Sequence, residues 1–182
     1  MEAFSHTVRM ATSADAAALA TLAELTFRDT FASANTCENM DEHCRRNYGE
    51  AIQASEISSP HIVTLVSERE GVLMGYAQVR PTGLAPCFVS GRYPGEIQRL
   101  YVAGEYHGKG VAQALMMSGL GALREGGCDV AWLGVWEMNP RAIAFYRRLG
   151  FTVVGEHVFQ LGTDRQTDLI MVLPLHASGG IA

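Results

Sequence analysis

Two glycines flank a lysine in the turn His107-Gly108-Lys109-Gly110, with an apolar run before it and a run of helical spacing after it. Residue types in that order suit an anion cradle. Without side chains at Gly108 and Gly110, backbone N–H groups can crowd round a phosphate, and the first turn of the following helix adds free donors and a positive dipole end. The apolar run, Ile97, Leu100, Tyr101 and Val102, reads as a short buried strand, and Val111, Leu115, Ser118 and Ala122 recur at helical spacing. A strand, a glycine turn and a helix therefore hold the cradle between them.

Two common phosphate loops do not fit this stretch. The nucleoside triphosphate loop needs its lysine directly after the second glycine of a Gly-x4-Gly pair, whereas Gly104 is followed six residues later by Gly110 and Lys109 comes ahead of it. A dinucleotide fingerprint needs a third glycine where Gln113 stands.

A second block, Asn139 to Phe151 (NPRAIAFYRRLGF), has its own punctuation. Asn139 is a good N-cap, Pro140 suits the first helical position, and Gly150 stands just past the last turn. Asn139 and Tyr146, seven positions apart, project to nearly the same side of this short helix.

The elements around these blocks follow from periodicity. A strand is expected at Thr7 to Met10, a helix capped by Ser13 running to about Ala32, and a second helix from Glu38 to Ala54. The carboxylates Glu38, Asp41, Glu42 and Glu50 of that second helix make either a solvated acidic face or a wall that attracts a cation. Strands are expected at His61–Ser67 and Val72–Arg80, a loop at Pro81–Gly95 bordering the site, a strand at Cys128–Val135, and a closing hairpin of Phe151–Gln160 and Thr167–Leu173 with Gly162–Gln166 as its loop.

The 182 residues, 48% of them hydrophobic, suffice for one domain with a sizeable core, expected over residues 1–176, followed by a flexible tail at 177–182. A formal charge of −5 argues against nucleic acid and favours neutral or cationic small partners. Neither a leader peptide nor a membrane span is read, which points to a cytoplasmic protein with no membrane partner. Cys37, Cys44, Cys87 and Cys128 lack Cys-x-x-Cys spacing and read as reduced thiols; Cys37 and Cys44 share a helix face, but with His43 they do not make a metal site, and no metal is expected.

Together these motifs resemble the GNAT superfamily of acetyl-CoA-dependent N-acetyltransferases. Its Leu-x-Val strand is matched by Leu100-Tyr101-Val102, and its Arg/Gln-x-x-Gly-x-Gly/Ala loop by His107-Gly108-Lys109-Gly110-Val111-Ala112. His107 departs from the usual Arg or Gln, and Gly104 from a common proline. The second motif, Ala-x-x-Phe-Tyr-x-x-x-Gly-Phe, is met at Ala142, Phe145, Tyr146, Gly150 and Phe151. The segments TFRDTFA, ENMDEH, WLGVWEMNPRAIAFYRRLGF and GTDRQTDLIM look more narrowly like the PaiA-like spermidine/spermine acetyltransferases.

The resemblance implies an α/β fold: a mixed, mostly antiparallel sheet of about seven strands flanked by helices, with strands 4 and 5 splayed for the coenzyme. It implies acetyl-CoA as cosubstrate, gripped by main chain from His107 to Ala112 and by Leu100, Tyr101 and Val102, with Asn139 bonding the pantetheine. Tyr146 is the implied general acid toward sulfur and Glu96 the base, with Glu137 a second candidate. Trp136 and Glu137 are implied to contact a small amine, most simply a polyamine, and Arg148 either reaches a nucleotide phosphate or is solvated. Acetyl transfer to another amine, or acyl-CoA sensing without catalysis, is the alternative. A homodimer is the family-level expectation.

Overall fold

The structure, a computed structural model, describes residues 4–175; the tail expected at 177–182 lies outside the described residues. The chain alternates strands with helices as β1 (Thr7–Met10), α1 (Ala16–Phe31), α2 (Cys37–Asn47), α3 (Glu50–Ser58), β2 (Val63–Arg69), β3 (Val72–Arg80) and β4 (Pro94–Val102). It continues through α4 (Val111–Glu125), β5 (Val130–Trp136), α5 (Pro140–Arg148), β6 (Thr152–Leu161) and β7 (Asp164–Pro174).

The strands form one seven-stranded sheet in the order β1-β2-β3-β4-β5-β7-β6. Neighbours are antiparallel except β4 and β5, which run parallel. Their pairing is short: Pro94, Gly95 and Glu96 oppose Val130, Ala131 and Trp132, and beyond those three the two strands part. From there β4 pairs only with β3 and β5 only with β7. The register of β4 also slips, so that Gln98 bulges between Ile97, opposite Val79, and Arg99, opposite Gln78. Such a bulge sharpens the local bend and turns the strand away from its parallel neighbour.

Alternation along the strands builds a core on each face. On one face, Leu19, Leu22, Ala23 and Phe27 of α1 and Met40 and Cys44 of α2 pack over Val66 and Tyr76. On the other, Met116, Leu120 and Leu123 of α4 and Ile143 and Tyr146 of α5 pack over Val79, Ile97, Leu133, Val135 and Met171. The period-3.6 stripe of each helix and the period-2 pattern of the strands interlock here.

Several expectations are corrected. The first helix is entered through Thr12 rather than Ser13: the Asp15 carboxylate accepts from the Thr12 amide at 2.7 Å and binds Arg9, which also pairs with Glu68 at 2.8 Å. The second helix is two helices, broken at Tyr48 and Gly49, because Tyr48 turns into the core with its ring 5.5 Å from that of Phe27. Of the two readings of the acidic residues, the surface pairs of Asp41 with Arg28 and Glu42 with Arg46 in α2 agree with a solvated face. Cys37 is exposed while Cys44 is buried, so the two do not share an environment, and all four cysteines are free thiols. The closing hairpin is tighter than expected, with Leu161 opposite Asp164 across two residues. Finally, the loop ahead of β4 does not border the cleft. Phe88 and Val89 instead cover Trp132, Val130 and Ile170.

Candidate active site

Where β4 and β5 separate, a cavity of about 760 Å³ opens through the sheet. Its walls include Ile97 to Val102 of β4, Gly134 to Trp136 of β5, Asn139, Ala142 and Tyr146 at α5, Thr26, Asp29, Thr30 and Phe31 of α1, and Asp168 of β7. A second cavity of about 340 Å³ adjoins it, lined by His107, Gly108, Gly110, Val111, Ala112, Arg141 and Arg148. Leu100, Val102, His107, Arg141 and Ala142 line both. A ligand long enough to reach from the glycine loop into the gap can therefore occupy one continuous path.

The glycine loop ends in a left-handed turn, with φ of 75° at Gly108 and 84° at Gly110, the residue that caps α4. No acceptor within the loop takes the amides of Gly108 and Gly110, and those of Val111, Ala112 and Gln113 are the unpaired first-turn donors of α4. Two other expected donors are engaged inside the loop: the amide of His107 donates to Gly104 O at 3.2 Å and that of Lys109 to Tyr106 O at 3.4 Å. The Lys109 ammonium is turned away as well, 4.9 Å from the ring centre of Phe4 and 5.4 Å from that of Tyr106. The cation at the loop is instead Arg141, whose Nη1 lies 2.9 Å from His107 Nδ1, while His107 Nε2 lies 2.8 Å from Val102 O. With both contacts made, the imidazole donates from Nε2 to Val102 and accepts at Nδ1. Bare amides, a helix start and Arg141 and Arg148 together fit a diphosphate.

At the other end of the gap, Asn139 caps α5 by accepting from the Ala142 amide at 3.1 Å, which leaves its own NH2 for a ligand in the cavity it lines. Seven residues on, as the spacing predicts, Tyr146 lies on the same cavity wall. Burial pushes its phenol up to about 12. A phenol that weakly acidic stays protonated and can donate to a developing thiolate.

Glu96 stands at the root of the gap, opposite Arg80 on β3 and Trp132 on β5, and is not among the residues lining the cavity. Burial raises its carboxyl, partly offset by the charges of Arg80, Arg99 and His157. Trp136 lines the cavity, its ring 5.3 Å from that of Phe31. Glu137 is exposed beyond it and lines neither cavity; its amide donates to Thr167 O at 3.0 Å.

Sequence reasoning missed the polar residues of the α1 side. Arg99 lines the cavity, with its Nη1 2.7 Å from Glu56 and 2.6 Å from Gln78 and its guanidinium 5.4 Å from the Tyr48 ring centre. Asp168 lines it too, facing His157 of β6 at 3.7 Å and flanked by Gly134 of β5. One signal was available for Asp168: it takes the inward phase of β7, in step with the buried Ile170.

A family model described as the acetyltransferase (GNAT) family matches residues 21–151. An uncharacterized N-acetyltransferase from the pepI 3′ region of Lactobacillus delbrueckii subsp. lactis is 33% identical over 156 residues, 80% of this chain and 84% of that protein. The PaiA N-acetyltransferase of Thermoplasma acidophilum, solved with coenzyme A, superposes with a TM-score of 0.75 over 94% of this chain and 99% of that one at 22% identity, a likeness of fold. The yncA structure from Salmonella typhimurium, with acetyl-CoA as its cofactor, gives 0.68 over 98% of both chains at 25% identity.

Proposed function

The chain belongs to the GNAT family of N-acetyltransferases, and from that premise we propose that it moves the acetyl group of acetyl-CoA to a primary amine of a small cation, a polyamine such as spermidine or spermine. The carrying observation is the cavity through the sheet, which joins the free amides of the glycine loop to a wall bearing Asp29 and Asp168. Of the two arginines that line the cavity, Arg141 stands at the glycine loop, and Arg99, nearer these carboxylates, is matched by Glu56 at 2.7 Å, so the carboxylates are left to set the sign of the charge that is welcome there. Two carboxylates on separate elements suit an acceptor carrying more than one ammonium group.

In this reading the coenzyme's diphosphate is held by the loop amides and Arg141, and its pantetheine lies along β4 at Leu100, Tyr101 and Val102 and is bonded by the Asn139 amide. Backbone N–H groups left free where the strands part hold the thioester oxygen as charge builds on it. Tyr146 donates to the departing sulfur, and Trp136 with Phe31 forms an apolar wall for the methylenes of the acceptor. Glu96, raised by burial, serves as a proton store at the root of the gap, and Glu137 attracts cations at its rim.

The test is thiol release from acetyl-CoA against a panel of polyamines, amino acids, aminoglycosides and peptides with free N-termini, with product masses. Turnover led by polyamines is the expected result. Turnover confined to peptides or amino acids would overturn the acceptor assignment, and tight coenzyme binding with no turnover on any amine would favour an acyl-CoA sensor.

A further inference from the structure

A polyamine nitrogen has a pKa near that of lysine, about 10.4, so it reaches the site as an ammonium and must lose a proton before it can attack. Glu96 is held at the root of the gap, off the cavity wall. Of the two carboxylates on the wall, Asp29 comes from α1 and Asp168 from the sheet itself, and the surroundings of Asp168 are particular. It is the cross-strand partner of Trp136 on β5 and of His157 on β6, so both neighbouring strands fix its position. A Cβ at Gly134 would lie 3.2 Å from Asp168 Oδ2 and 3.7 Å from His157 Nε2. The missing side chain at Gly134, an exposed residue on the cavity wall, is what lets the carboxylate lean over β5 toward the gap.

The rest of the surroundings put Asp168 and Tyr146 on the walls of one cavity. Tyr101 of β4 lines the same cavity, and its buried phenol is raised by burial first and then by the charges of Tyr48, Tyr146 and Asp168, so it stands within electrostatic reach of both the sulfur-side phenol and the carboxylate. Tyr146 belongs to the core on the α4–α5 face, whereas Asp168 shares its strand phase with Ile170, in the cluster of Trp132 and Val89 on the opposite face. The gap thus has a phenol on one side of the sheet and a carboxylate on the other, as a transfer between ligands entering from opposite faces requires.

Resting on the acetyltransferase reading above, we propose that Asp168 is the catalytic group that takes the proton from the acceptor's ammonium, and that His157 is the residue that positions it. The ammonium N–H gives its proton to an Asp168 oxygen. The freed nitrogen lone pair attacks the thioester carbon, the C–N bond forms, the C–S bond breaks, and the thiolate leaves with a hydrogen bond from Tyr146. The second proton of the former amine passes to the sulfur, giving amide and thiol. Burial raises the Asp168 carboxyl and His157 lowers it in part, which leaves it a stronger base than a free aspartate. The other titratable or charged groups of the gap are Arg99 and Tyr101 from β4, Asp29 from α1, and His107, Arg141 and Tyr146 on the glycine-loop and α5 side, all lining the cavity, with Glu96 at its root.

The experiment compares wild type with Asp168→Asn, Asp168→Glu, His157→Gln and Glu96→Gln, reading thiol release against pH with two acceptors. One is spermidine, and the other is trifluoroethylamine, an amine already unprotonated at neutral pH. With spermidine, Asp168→Asn is expected to lower kcat/KM by about 100-fold or more, and Asp168→Glu to recover part of it. With trifluoroethylamine the Asp168→Asn defect should shrink to a few-fold, which a merely structural role would not produce. His157→Gln should move the acid limb of the profile to higher pH, since the imidazole lowers the carboxyl it faces. Thermal unfolding and acetyl-CoA affinity should show each variant folded and loaded. An equal defect with both acceptors, full activity in Asp168→Asn, or the acceptor-dependent loss appearing in Glu96→Gln instead would overturn the inference alone. A wild type that acetylates neither these nor any panel amine would overturn the functional reading, and this inference with it.

Discussion

Arg141, at the start of α5, places its guanidinium 2.9 Å from the imidazole of His107 at the end of the β4 loop, across the boundary of the two cavities that both residues line. The family pattern has an arginine or glutamine at the position of His107. Here the loop contributes an imidazole and the cation comes from another element, held in place against that ring.

Arg141→Ala should therefore raise the dissociation constant of coenzyme A about tenfold, about 1.4 kcal/mol, with little effect on the melting temperature. Lys109→Ala should leave the affinity near wild type, because that ammonium sits over Phe4 and Tyr106 rather than in the cradle. Titration calorimetry on both variants separates the two cations.

Tyr146→Phe should lower kcat about 100-fold while leaving coenzyme affinity unchanged, since the ring remains to fill its place against Phe145 and Phe151. Single-turnover acetyl transfer is the measurement, because product release does not enter it. A loss of affinity equal to the loss of rate would make Tyr146 a packing residue.

Glu56→Gln should cost about 3 kcal/mol of stability by leaving Arg99 charged in a half-enclosed site with no carboxylate against it, only Gln78 and the face of the Tyr48 ring. The same change puts an unmatched positive charge on the acceptor wall, so KM for a cationic amine should rise. Urea unfolding and steady-state kinetics read the two effects independently.

The carboxyls of Glu96 and Asp168 are both raised by burial. Between the ordinary carboxylate range, about 4, and their raised values the folded chain binds more protons than the unfolded one, so each costs stability as pH rises through that window. Glu96→Gln and Asp168→Asn should each melt higher than wild type at mildly alkaline pH, with the gain fading in acid. Thermal unfolding at the two ends of the range decides it, and a variant that melts lower at alkaline pH would count against burial as the cause.

The two motif blocks were legible because local chemistry decides them. A Gly-x-Gly turn before an apolar helix, and Asn-Pro before and Gly after a short one, mean the same thing in any surroundings, and both blocks fold as read. The break at Tyr48 was not legible, since nothing from Glu38 to Ala54 forbids a helix; the gain from seating the Tyr48 ring beside Phe27 overrides local propensity. The polar wall of the cavity was hidden for a related reason. Arg99, Glu56, His157 and Asp168 come from four separate elements and meet only through sheet register and helix docking. Glu96 had a position in a motif, and Asp168 had only its phase in a strand.

Among the described residues, only three on each side stitch β4 to β5, and no other backbone ladder there ties the first four strands to the last three. The sheet is thus a fabric with an open seam. A bound chain lying along that seam would mend it, so amide exchange in β4 and β5 should slow together once the seam is filled, and breathing of the two halves would set how quickly spent thiol escapes.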